Sequence, residues 1–141
     1  MKTQSNDFAG FLDGFEARNL ASIERETTLQ ISEMQTRLAV IRSEVLEKEP
    51  SLRDVGPEFE KLAATFNRGG NIVNRLVSVG SVLSEFLIKF GSKIDSNHLF
   101  GSHFRGFVRA YLDAAEKSRS DQVLDAAVQV SKTLKDADLA S

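Results

Sequence analysis

The chain has 141 residues, and 18 basic against 20 acidic side chains give it a formal charge of −2. It contains no cysteine, which excludes disulfides, thiolate nucleophiles, iron–sulfur clusters and cysteine-ligated zinc. The near-neutral charge is also unlike that of a general nucleic-acid-binding domain, which carries a basic excess.

The first 49 residues predict one long helix with a heptad pattern. Apolar side chains recur there in steps of three and four, as in a coiled coil. We call these residues the heptad seam: Ile31, Met34, Leu38, Ile41 and Val45. Glu33 and Arg37 are spaced to form a salt bridge on the same helix. A helix over about Asp7 to Glu49 would be roughly 60 Å long, so we expect it either to break or to pair with another chain.

An aromatic patch precedes the heptad seam. Its side chains share one helical face, and they are Phe8, Phe11, Leu12 and Phe15. We expect this patch to be a docking segment that either folds back onto the rest of the chain or binds a partner. The first helix is either continuous or broken between Gly14 and Asn19, since glycine weakens a helix.

Two prolines mark the joint between the long helix and the rest of the chain. Pro50 ends the first helix, because proline disfavours a helical residue before it and lacks an N–H. Pro57 suits the first turn of a second helix. We expect that helix to end at Gly69 and Gly70, since adjacent glycines favour a helix stop.

A third helix is predicted from Asn71, which can cap it, to Phe90. Its apolar side chains recur in alternating steps of four and three, so we expect it to be the central, most buried helix. Residues 91–97 are predicted to be a polar connection with Ile94 as their single apolar residue.

A fourth helix is predicted from about Asn97 to Lys117, with an aromatic row along one face. The row consists of Phe100, Phe104, Phe107 and Tyr111. Residues 118–121 either cap a fifth helix or lie inside a longer fourth one. The last apolar segment ends near residue 135.

The sequence therefore predicts an all-α fold, with a long N-terminal helix bearing a coiled-coil-like seam, followed by a compact bundle of three to four helices. Residues 1–49 form the long oligomerisation or docking helix, 50–57 the joint, 58–135 the bundle and 136–141 a frayed tail. We expect all four to belong to one structural unit.

The chemistry of the sequence indicates neither a metal site nor an active site. His98 and His103 are five residues apart and share no helical face, so with Asp95 they make a poor ligand set. No phosphate loop or nucleophile elbow is present. We therefore predict no catalytic residue, no metal, no cofactor and no enzymatic activity.

The fourth helix carries a weak basic face formed by Arg105, Arg109 and Lys117. One interpretation is a stripe that faces phosphate or nucleic acid. The other is a solvated face in which Arg109 pairs with Asp113. The core spacing of the neighbouring aromatic residues favours the second interpretation.

We therefore expect a non-enzymatic protein–protein interaction module of the adaptor, chaperone, inhibitor or immunity type. It would act through helix–helix contacts, self-associating as a dimer or higher homo-oligomer through the heptad seam, binding another protein, or both. One alternative is an amphipathic protein on a membrane or hydrophobic-particle surface. Another is a nucleic-acid-associated accessory protein that uses Arg105 and Arg109.

The expected location is the cytoplasm. The first seven residues lack the apolar region of a signal peptide. The most apolar stretch, residues 71–90, carries Arg75, Glu85 and Lys89, which would be costly inside a bilayer.

Overall fold

The structure is a computed structural model that describes residues 22, 25–66 and 71–137. The predicted docking patch of Phe8, Phe11, Leu12 and Phe15 lies outside the described residues. The same holds for the region from Gly14 to Asn19 and for the predicted stop at Gly69 and Gly70. Within the described ranges all regular structure is helical, and five α-helices pack together, which confirms the all-α class.

The first helix, α1, covers residues 25–41 of the described chain and continues into a π-helical turn, Arg42–Leu46. The wider turn is closed by the Glu47 N–H, which donates to the Arg42 carbonyl at 3.0 Å. A short 3₁₀ turn, Pro50–Leu52, follows. The described part of the first helix therefore ends at Leu46, ahead of the predicted end at Glu49, and Glu49 itself is extended before Pro50.

The heptad seam lies in the interior of this one chain. Ile31, Met34, Leu38, Ile41 and Val45 are each 4% exposed or less. They belong to the same hydrophobic core as Phe59, Leu83 and Phe107 of the other helices. The described part of α1 is thus a member of the bundle. Its heptad spacing is accounted for by packing within the chain, without a second copy.

The proline-bounded joint is itself part of the core, because Leu52 and Val55 are buried. The second helix, α2, spans Gly56–Phe66 and has Pro57 in its first turn, as predicted. Arg42 joins the end of α1 to α2 through two hydrogen bonds to the Glu60 carboxylate, of 2.8 and 3.0 Å.

The third helix, α3, spans Ile72–Ser96 and contacts α2 and both helices that follow it. Its central position is as predicted, and so is the cap, since Asn71 Oδ1 accepts from the Asn74 N–H at 2.8 Å. The predicted end at Phe90 is wrong. Gly91 and Ile94 are buried, so tertiary packing carries the helix through the glycine.

The fourth and fifth helices are separate. Helix α4 spans His98–Ser118 and α5 spans Asp121–Asp136. Arg119 separates them in the left-handed conformation, with φ at 53°. This backbone conformation commonly ends a helix.

An aromatic cluster forms the interface between α3 and α4. Phe86 of α3 stacks on Phe104 of α4 with ring centroids 5.1 Å apart, and Phe100 meets Phe104 edge-on at 5.8 Å. Such pairs contribute about 0.5–1.5 kcal/mol beyond their buried area. The aromatic row predicted from spacing is thus a core feature, since all four of its rings are buried.

Candidate functional site

A groove of about 610 Å³ runs between α1 and the outer face of α4. Three arginines line it, and we call it the arginine groove. Arg37 comes from α1, and Arg105 and Arg109 come from α4. It also contains two carboxylates, Glu33 and Asp113. The groove therefore brings charged groups from two distant parts of the chain to one place.

Small residues of α4 make the floor of the arginine groove. Ser102, Gly106 and Ala110 recur every fourth residue and so share one face. The Arg37 guanidinium occupies the space that a side chain at Gly106 would need. A Cβ there would lie 2.6 Å from Arg37 Nη1 and 3.0 Å from Cζ. Gly106 thus allows Arg37 to lie across the α4 backbone.

The three arginines of the groove differ in whether they form ion pairs with carboxylates of the same chain. Arg37 Nε donates to Glu33 at 3.0 Å, which confirms the predicted salt bridge. Arg105 Nη2 lies 3.5 Å from Asp95 Oδ1. Among the described residues no ion pair joins Arg109 to Asp113, so the predicted pairing of these two side chains is wrong. Arg109 is exposed and is the groove's most available guanidinium.

An exposed apolar side chain stands beside these charges. Leu29 lines the arginine groove and is 68% exposed. Guanidinium groups bind carboxylates through paired hydrogen bonds, and a leucine beside them offers apolar contact. The groove can therefore hold a ligand that presents both acidic and apolar groups.

The predicted site residues are brought together only in part. Arg105 and Arg109 lie in the arginine groove, whereas Lys117 is at the last turn of α4 and does not line it. Arg37 is the member that the predicted basic face lacks. Its pairing with Glu33 follows from spacing, but its position over Gly106 depends on how α1 docks. The small residues at every fourth position of α4 are the one sequence signal for that close approach.

A second groove, of about 460 Å³, lies between α2 and α3. Several of its charged side chains form ion pairs with one another. Lys89 Nζ lies 3.2 Å from Glu58 Oε1, and Lys61 Nζ lies 3.6 Å from the same oxygen. The hydrogen bond from Lys89 lowers the pKa of Glu58 below its ordinary value. This groove therefore offers fewer unengaged charges than the arginine groove.

Among residues 22, 25–66 and 71–137, no group of three or more histidine, aspartate or glutamate side chains is placed to hold a metal ion. In the same part of the chain, none of the helices has the length and apolar character needed to cross a bilayer.

Comparison with known proteins returns no match to a family model, to a curated protein or to a solved structure.

Proposed function

We propose that the chain is a protein–protein interaction module that binds an acidic amphipathic helix of a partner in the arginine groove. The observation that carries this proposal is the convergence of Arg37, Arg105 and Arg109 around the exposed side chain of Leu29.

The shape of the groove suits a helical ligand. It extends along α4 from Ser102 to Asp113, which corresponds to about three helical turns. Arg105 and Arg109 are one turn apart on α4, so carboxylates one turn apart on a partner helix would meet both guanidinium groups. An apolar residue on the same partner face would pack against Leu29.

Self-association through the heptad seam stays a prediction. In the single chain the seam side chains are already buried, so pairing through them would require α1 to leave the bundle. A partner that acts on the folded chain would meet the exposed surfaces first. This favours the arginine groove over the seam as the partner site.

The two alternative functions find less support. The nucleic-acid alternative gains a third arginine, but the residues that line the groove include no aromatic side chain on which a base could stack. The membrane-surface alternative relies on the apolar face of α3, and most of that face is buried against the other helices, with Ile88 as an exposed exception. A cytoplasmic location stays a prediction.

A binding titration tests the proposal. The probe is a labelled synthetic helix with glutamates one turn apart beside leucines, and fluorescence anisotropy reports its binding. We expect salt-sensitive binding that falls by about tenfold or more when Arg105→Glu and Arg109→Glu are combined, since charge-assisted contacts contribute about 1.5–3 kcal/mol.

The matched control makes the same change in charge elsewhere. Arg53 and Lys61 are exposed and lie outside the arginine groove. Combined Arg53→Glu and Lys61→Glu should therefore leave affinity within about threefold, apart from long-range screening effects. Equal loss in both double variants, or no binding by the unmodified chain, would contradict the proposal. Tighter binding of a single-stranded oligonucleotide than of the acidic helix would favour the nucleic-acid alternative.

A further inference from the structure

The outward face of α5 carries an apolar centre between charges of opposite sign. Val128 is 67% exposed and Leu124 is 37% exposed. On the N-terminal side of Val128 the same face has Asp121 and Asp125, and on the C-terminal side it has Lys132 and Lys135. At about 3.6 residues per turn, all six side chains point away from the buried face of the helix.

Among the ion pairs of the described residues, none involves the two aspartates or the two lysines of this face. The buried side of α5 packs against α3 and α4 through Val123, Ala127 and Val130. The face centred on Val128 is thus left exposed by the packing of the described helices.

We propose that this face binds the same face of a second copy, with the two α5 helices antiparallel. A two-fold axis at Val128 places residues that are equally far before and after it opposite one another. Asp121 then faces the second copy's Lys135, and Asp125 lies beside the second copy's Lys132. The two Val128 side chains meet at the centre, flanked by Leu124 from each copy.

The parallel arrangement lacks this complementarity. It would place the aspartates of one helix beside the aspartates of the other, and likewise the lysines. Like charges held close together are destabilising, so the charge order along α5 selects the antiparallel pair. The helix dipoles also oppose each other favourably in that arrangement.

The size of the outward face of α5 limits the expected affinity of the dimer. Helix α5 has 16 residues and is therefore about 24 Å long. A contact limited to one helix pair falls below the area of a standard stable interface, so we expect a weak dimer with a dissociation constant of about 100 µM. This dimer is independent of the arginine groove, so either proposal can fail without the other.

Sedimentation equilibrium over a range of concentrations tests the dimer. The unmodified chain should pass from monomer to dimer, and added salt should shift it towards monomer. Val128→Lys should abolish dimerisation, because it places two like charges at the axis. Ile88→Lys is the matched control, since Ile88 is 74% exposed on α3 and lies outside this face; it should leave the dimer intact.

A charge exchange tests the antiparallel register. Asp125→Lys alone, or Lys132→Asp alone, should weaken the dimer by about fivefold or more, because each puts like charges together in two symmetry-related places. Combining the two exchanges the charges and should restore affinity to within about threefold. All these positions are exposed, so circular dichroism should show an unchanged fold. A monomer at every concentration, a dimer indifferent to Val128→Lys, or a double variant no better than the singles would overturn the proposal.

Discussion

At the scale of single residues, the junction of α3, α4 and α5 depends on the absence of one side chain. The Tyr111 hydroxyl donates to the Leu76 carbonyl at 3.0 Å and is fully buried. It fits because Gly80 of α3 leaves room for it. A Cβ at Gly80 would overlap the Tyr111 hydroxyl and lie 3.0 Å from the Cβ of Ala126. The glycine that weakens α3 as an isolated helix is what lets three helices meet.

We expect Gly80→Ala to destabilise the fold. Overpacking costs about 1–3 kcal/mol and the gain in helix propensity offsets up to about 1 kcal/mol, so the free energy of unfolding should fall by about 1–2 kcal/mol. Chemical denaturation measures this. Gly56→Ala is the control, because nothing lies within 4 Å of a Cβ at Gly56. If both variants are equally stable, the close fit at Gly80 is not real.

The ionisation of Tyr111 should report its burial. Burial raises its pKa from 10.0 to about 12. An unfolded chain would lose this proton near pH 10 while the folded chain keeps it, so stability should fall as the pH rises from about 10 to 12. Tyr111 is the single tyrosine, so tyrosinate absorbance is specific to it.

The absorbance midpoint should lie well above that of the same chain in denaturant. In Tyr111→Phe, the tyrosine contribution to the loss of stability at high pH should vanish. A midpoint near 10 in a chain that is still helical by circular dichroism would show that the hydroxyl is accessible to solvent.

At the scale of elements, helix boundaries are set partly by local chemistry and partly by packing. Asn71 and Asn97 cap α3 and α4 through side-chain oxygens. The sequence predicts the cap at Asn71 and places Asn97 at the start of α4. The end of α3 could not be predicted from the sequence, because Gly91 is typical of a helix end. The helix continues past it since Ile94 is buried in the core. The break at Arg119 was one of two open alternatives, since nothing in residues 118–121 requires it.

The candidate site likewise combines residues that sequence spacing predicts with one that only tertiary packing places there. Arg105 and Arg109 could be placed on one face of α4 from their spacing. The contribution of Arg37 could not, because it depends on the docking of α1 over Gly106. The charge pattern of α5 was visible in the sequence, but its exposure follows from which side of the helix packs on α3.

We expect Asn97→Ala to lower the free energy of unfolding by about 1 kcal/mol, because it removes the acceptor for the Phe100 N–H. Thermal or chemical denaturation measures the loss. Asn97→Asp keeps a side-chain oxygen and should retain most of the stability. An alanine variant as stable as the aspartate variant would mean that the cap contributes little.

At the scale of the whole molecule, the role of α1 determines which surfaces of the protein are open to a partner. The sequence alone makes its heptad seam a surface for a second chain, whereas the structure buries the same residues against the bundle. If the seam is internal, partners must use exposed surfaces such as the arginine groove and the outward face of α5. If the seam is an interface, the bundle must be stable without it.

Combined Leu38→Asp and Ile41→Asp separates these cases. Both side chains are 4% exposed or less. Burying a carboxylate without a partner costs several kcal/mol, and two such costs are comparable with a total stability of about 5–15 kcal/mol. We therefore expect the double variant to unfold.

Sedimentation velocity of this double variant beside the unmodified chain, at matched concentrations, is the most direct test. An internal seam predicts that the variant sediments as an expanded, slowly moving monomer while the unmodified chain remains compact. A compact, folded variant monomer beside an unmodified dimer would contradict the account and show that the heptad seam joins two chains.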